Sequence, residues 1–134
     1  MKIVLDTNVL VSALLSPFGV PSQLVRLVLS GTIPIALDER IFAEYQDVLA
    51  RPHFNFRQDR VQRLLEYIAD KGEFVVAPPL HIELPDNDDL CFVEVAVATK
   101  STALVTGNQK HFPKRELRRF NLNIISPAEF LMLL

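Results

Sequence analysis

A single cysteine, Cys91, among 134 residues excludes an intramolecular disulfide framework and any cysteine-rich zinc site, and leaves a small buried hydrophobe as the reading of that side chain. No apolar stretch approaches the roughly 20 residues that span a bilayer. Lys2 is followed at once by a strand-like run that meets Asp6, which makes a poor secretory leader. The chain is therefore expected to be soluble and cytoplasmic, with no membrane partner. Internal repeats, low-complexity tracts and linkers are lacking as well. With 49% hydrophobic residues there is material for one core and too little length for two, so one domain over residues 1–134 is expected. Nor does either sign of charge dominate: 14 basic and 16 acidic side chains leave a formal charge of −2, which neither announces nor forbids a polyanionic partner.

What is present is uneven. Acids cluster in Pro85-Asp86-Asn87-Asp88-Asp89, whereas bases concentrate over residues 51–63 and 110–119. Short apolar runs alternate with helix-length amphipathic stretches, the pattern of βα units laid into a parallel sheet covered by helices. Strands are expected at residues 3–5, 33–37, 74–77, 103–106 and 122–125. Between them lie helices at 9–15, from Pro21 to a stop at Gly31, from the cap Asp38 to Arg51, at 58–71 and at 90–100. A short basic helix near Glu116 and a capping box, Ser126-Pro127-Ala128-Glu129, complete the series. The helix at 90–100 is apolar on most sides and should be central and buried. The fold class is α/β: a three-layer sandwich with a central, five-stranded, mainly parallel sheet flanked by helices.

In such a sheet ligands bind beyond the carboxyl ends of the strands. Asp6-Thr7-Asn8 follows the first strand, Asp86 to Asp89 precedes the buried helix, and Thr106-Gly107-Asn108 follows the fourth strand. Taken singly, each is a turn or helix cap, since Asp, Asn and Gly serve local backbone geometry there. Taken together, carboxylates converging without enough Lys or Arg beside them call for a hard cation, and an all-oxygen donor set suits Mg2+ or Mn2+. Helix N-termini favour negative charge, which should help hold Asp88 and Asp89 ionised. Glu44 sits at the edge of an apolar arc, one turn from Ile41 and Val48; by position alone it is a surface residue.

Four ordered blocks carry a resemblance. They are Ile3-Val4-Leu5-Asp6-Thr7-Asn8-Val9-Leu10-Val11-Ser12-Ala13, the helix around Glu44, the stretch from Asp86 through Leu90-Cys91-Phe92-Val93-Glu94 to Ala96, and Leu104-Val105-Thr106-Gly107-Asn108-Gln109-Lys110-His111-Phe112-Pro113. With this spacing the chain resembles the PIN-domain ribonucleases, and among them the VapC-like toxin branch of prokaryotic toxin–antitoxin pairs. The resemblance implies a PIN-like, Rossmann-like fold and hydrolysis of single-stranded RNA phosphodiesters with Mg2+ or Mn2+. On matching positions it implies Asp6, Glu44, Asp89 and Asp88 as metal ligands, with Thr7, Asn8, Thr106 and Asp86 orienting them. Asn108 stands where many members carry aspartate, so it would be an uncharged ligand and a second metal would bind more weakly. RNA is expected to meet Lys110, His111 and Arg115, with Phe112 available for stacking. A protein antitoxin is implied as partner, and a homodimer, the latter also suggested by the apolar ending Phe130-Leu131-Met132-Leu133-Leu134. Two other readings stay open: an RNA- or partner-binding module with a degraded site, and an aspartate phosphotransferase, although Asn8 occupies the place of the second acid in its Asp-x-Asp pattern.

Overall fold

In a computed structural model that describes every residue from Met1 to Leu134, the apolar runs form parallel ladders and the amphipathic stretches form helices. The strands are β1 (Ile3–Leu5), β2 (Ala36–Leu37), β3 (Glu73–Phe74), β4 (Ala103–Val105) and β5 (Ile124–Ile125). The helices are α1 (Thr7–Leu15), α2 (Val20–Leu29), α3 (Glu39–Leu49), α4 (Gln58–Lys71), α5 (Leu90–Ala98), α6 (Lys114–Leu117) and α7 (Pro127–Leu131). Short 3-10 turns occupy Asn87–Asp89 and Gln109–His111.

The expected single five-stranded sheet is divided. β1, β4 and β5 form one parallel sheet in that order, with β4 central, and β2 and β3 form a second parallel pair. One parallel bridge, Ile3 to Ile35, joins the two, with the Ile3 amide donating to the Pro34 carbonyl at 3.1 Å. Pro34 has no N–H to return, so the ladder cannot extend from this bridge back toward Met1. The third strand is also shorter and earlier than residues 74–77: pairing with β2 ends as the Val75 amide reaches the Leu37 carbonyl, and Val76 is 98% exposed. Pro78-Pro79 then prevents a return to the ladder.

Helix ends follow local chemistry. The Asp38 carboxylate accepts from the Ile41 amide at 3.0 Å, and Ser126 with Glu129 forms the reciprocal capping box of α7. α1 begins two residues before the expected position, at Thr7, with Asp6 as its N-cap residue. Six consecutive residues of α5, Cys91 to Ala96, are buried, because this helix packs against β1, β2 and β4 while also touching α3. Tyr45, Phe92, Phe112 and Phe130 are the largest fully buried side chains in a core of 33 residues. Phe112 is therefore committed to the core and not available to stack on a base. No single helix is long and apolar enough to cross a membrane.

Candidate active site

Parallel pairing sets the site. Leu5 lies beside Val105, so Asp6 and Thr106, the next residues along, emerge together at the carboxyl end of the sheet, and the Asp6 amide donates to the Val105 carbonyl at 3.0 Å. The Thr106 hydroxyl donates to Asp6 Oδ2 at 2.8 Å and accepts from the Asn108 amide at 3.0 Å. Asn8 bridges the same two loops: its Nδ2 donates to Asp6 Oδ2 at 3.2 Å and its Oδ1 accepts from the Gly107 amide at 3.0 Å. Thr7 turns the other way and donates its hydroxyl to the Glu44 carboxylate, tying α1 to α3. From α3 the buried Tyr45 hydroxyl donates to the Leu5 carbonyl at 2.6 Å, which pins the end of β1.

The third acidic segment enters from the turn before α5. The Asp86 carboxylate accepts from the Asp88 amide at 3.0 Å, shaping the turn that delivers Asp89 to a buried position and leaves Asp88 exposed. His111 Nδ1 lies 3.1 Å from Asp89 Oδ2, so the loop after β4 reaches this acid as well. The three separated carboxylates thus become neighbours, and their ionisation records it. Burial pushes the Asp6 carboxyl up, against the pull of the Thr106 hydroxyl and the Thr7 and Asn8 amides. Burial also raises Glu44, opposed by Thr7 and reinforced by the charges of Asp6, Asp88 and Asp86. Asp89 is raised to about 6 by burial and then by Asp6 and Asp86, with His111 opposing. Burial and the neighbouring acids thus work against the ionised form that the helix N-terminus is expected to favour.

Each sequence-derived position has a definite place. Asp6, Glu44 and Asp89 converge; Asp88 faces a cleft of about 400 Å3 shared with Glu44. Thr7, Asn8, Thr106 and Asp86 make the hydrogen bonds that set the acids. Asn108 joins the site through its backbone, while its carboxamide makes no hydrogen bond. Lys110 is exposed on the 3-10 turn after β4 and Arg115 is exposed on α6, whereas His111, expected on the RNA backbone, is bound to Asp89. No three His, Cys, Asp or Glu side chains form a ready-made metal cage, so closing on one cation would require these side chains to rotate from their present partners. The donor set itself fits a hard cation: it is all oxygen, acidic, and the guanidinium that shares a cleft with Glu44 and Asp88, that of Arg40, is engaged by Asp38 and Glu94.

That Arg40 network has no counterpart in the sequence reading. Glu94 is 3% exposed, and its carboxylate accepts from Arg40 at 2.8 Å and from the Leu80 amide at 2.7 Å. The available signal was an acid inside the apolar run Phe92-Val93-Glu94-Val95-Ala96, a position where a carboxylate requires a partner.

Comparison with known proteins agrees with this architecture. The chain is 24% identical over 140 residues to an uncharacterized protein of Methanocaldococcus jannaschii, spanning 98% of this chain and 90% of that one. Its fold is similar to a chain in the crystal structure of VapBC2 from Rickettsia felis bound to a DNA fragment from their promoter, with a TM-score of 0.59 and 20% identity over 94% of this chain and 98% of that chain. The family pattern of the PIN domain matches residues 2–110, from β1 through the Asp86 to Asp89 turn to the loop after β4, and the chain belongs to the PIN domain family.

Proposed function

We propose that this PIN domain is a metal-dependent endoribonuclease that hydrolyses phosphodiester bonds of single-stranded RNA with Mg2+ or Mn2+, acting as the toxin of a toxin–antitoxin pair. The observation that carries the reading is the convergence of Asp6, Glu44 and Asp89 at the carboxyl end of the sheet, where burial raises all three and the charges of neighbouring acids raise Glu44 and Asp89 further. Such a cluster is stabilised by a bound cation and destabilised without one. When bound, a divalent cation supplies Lewis acidity, lowering the pKa of a water and neutralising phosphate charge.

The protein's own part is to hold and orient. Asp6, Glu44 and Asp89, with Asp88 at the edge, are the ligand carboxylates; Thr106 and Asn8 set the Asp6 carboxylate, Thr7 sets Glu44 and His111 sets Asp89. Asp86 fixes the backbone turn that presents Asp88 and Asp89. Asn108 adds no charge, so the site favours one-metal operation. Lys110 and Arg115 contact RNA phosphates. The VapBC2 neighbour motivates a protein antitoxin, and the exposed Met132, Leu133 and Leu134 motivate a homodimer, read by light scattering at micromolar concentration.

The test is incubation with single-stranded RNA, with and without Mn2+, beside Asp6→Asn and Asp89→Asn. Cleavage should require Mn2+ and vanish in both variants while circular dichroism stays unchanged. Undiminished Mn2+-dependent cleavage by both variants would falsify the site. RNA binding without cleavage would leave a binding module, and a phosphorylated Asp6 would point to a phosphotransferase.

A further inference from the structure

Arg40 and Glu94 sit one helical step behind the acids. Arg40 precedes Glu44 by four residues on the same face of α3, and Glu94 follows Asp89 by five on α5. Their side chains meet at 2.8 Å and, with Glu44, Asp88 and Cys91, line a cleft between the two helices. The other faces of the pair are tied down too. Arg40 holds Asp38 through two nitrogens, at 2.7 and 2.9 Å, and the second oxygen of Glu94 holds the Leu80 amide, in the segment that leads to Asp86. One ionic cluster therefore joins α3, α5 and the chain entering the acidic turn.

We propose that Arg40 and Glu94 are positioning residues that set the spacing between the acid on α3 and the acids before α5, and so the affinity of the site for its cation; this rests on the metal-nuclease reading above. A purely stabilising role is a weak account of the pair, since the Arg40 side chain is 53% exposed and an ion pair with one partner in solvent contributes little to stability. An ordinary charge effect predicts the opposite sign: a guanidinium beside a cation site repels the cation, and its removal should tighten binding. The tie predicts that its removal loosens the site.

Mn2+ binding to the full chain, measured by titration calorimetry, separates these. Arg40→Gln should weaken Mn2+ binding by about tenfold or more, the usual effect of losing a group that orients metal ligands. Arg40→Lys keeps the charge but presents one nitrogen where Arg40 uses three, so it should also bind more weakly than wild type, and it provides the measurement if Arg40→Gln does not fold. Val28→Ala, in the α2 core away from the site, should lower Tm without moving Mn2+ affinity. Wild-type or tighter affinity in the folded Arg40 variants, with Asp6→Asn abolishing binding, overturns the positioning role alone. A wild-type chain that takes up no Mn2+ overturns the metal-nuclease reading and this proposal with it.

Discussion

At Asp89, burial and the charges of Asp6 and Asp86 act in the same direction, and His111 offsets only part of them. The carboxyl stands at about 6 in the fold against 3.8 for its ordinary value. Between roughly pH 4 and 6 the folded state thus binds a proton that the unfolded chain has already released, and stability falls as pH rises through that window. Above it the penalty is complete. Asp6 and Glu44, raised in the same sense, add to the slope. In EDTA, Tm should therefore be a few degrees higher near pH 4.5 than near pH 7, and Asp89→Asn should flatten this difference. Equal slopes in wild type and variant would show that Asp89 does not titrate in this range. Adding Mn2+ at neutral pH should raise Tm by binding the ionised acids.

At the scale of elements, two glycines that look alike in sequence do different work. Gly31 ends α2 with φ at +82°, a left-handed turn that disfavours a side chain on backbone grounds although the space around it is open. Gly72, between α4 and β3, is extended, and any residue could adopt its backbone angles. It lacks room instead: a Cβ would lie 2.6 Å from Leu37 Cδ2 and 2.7 Å from the Ile68 carbonyl oxygen. Gly31→Asn should cost well under about 1 kcal/mol, since Asn tolerates the left-handed region. Gly72→Asn should cost about 1–3 kcal/mol by overpacking β2 against α4. Urea unfolding of the two variants decides it, and equal losses would mean that conformation, not space, rules both positions.

Across the whole molecule the basic residues divide into two groups. Lys110 and Arg115 stand exposed in the segment that follows β4, Lys110 next to the Asp89 partner His111, whereas Arg60 and Arg63 line a groove of about 420 Å3 formed with Ala13, Leu14 and Val25, two turns along α1 from Thr7. Arg63 also pairs with Asp59 at 3.6 Å. For an uncleavable single-stranded RNA, Lys110→Ala should reduce the log–log salt slope of binding by about 0.7, one phosphate contact. Arg60→Ala and Arg63→Ala should leave it unchanged. The reverse pattern, from isotherms at several salt concentrations, would put the RNA path over α4.

The amino-acid order alone determined what is local. The period of the apolar residues marked the helices and most strands, Asp38 and the Ser126-to-Glu129 box declared their own helix starts, and the continuous apolar run after Asp89 announced a buried helix. Asp6 and Asp89 were legible as strand-end and helix-start residues, whereas Glu44, a surface residue by position alone, joined them only through the resemblance of ordered blocks. Tertiary structure decided which of them meet. Thr7 reaches Glu44 across 37 positions because α1 packs on α3, and Thr106 reaches Asp6 across 100 because β4 pairs beside β1 in one register. It also decided that Phe112 belongs to the core, that the sheet divides between β1 and β2, and that Glu94 finds Arg40. Periodicity reports which face of an element avoids water, over a few residues at a time. The partner of that face, and so the company of each polar side chain at its edge, is set by how all the elements fill one core at once.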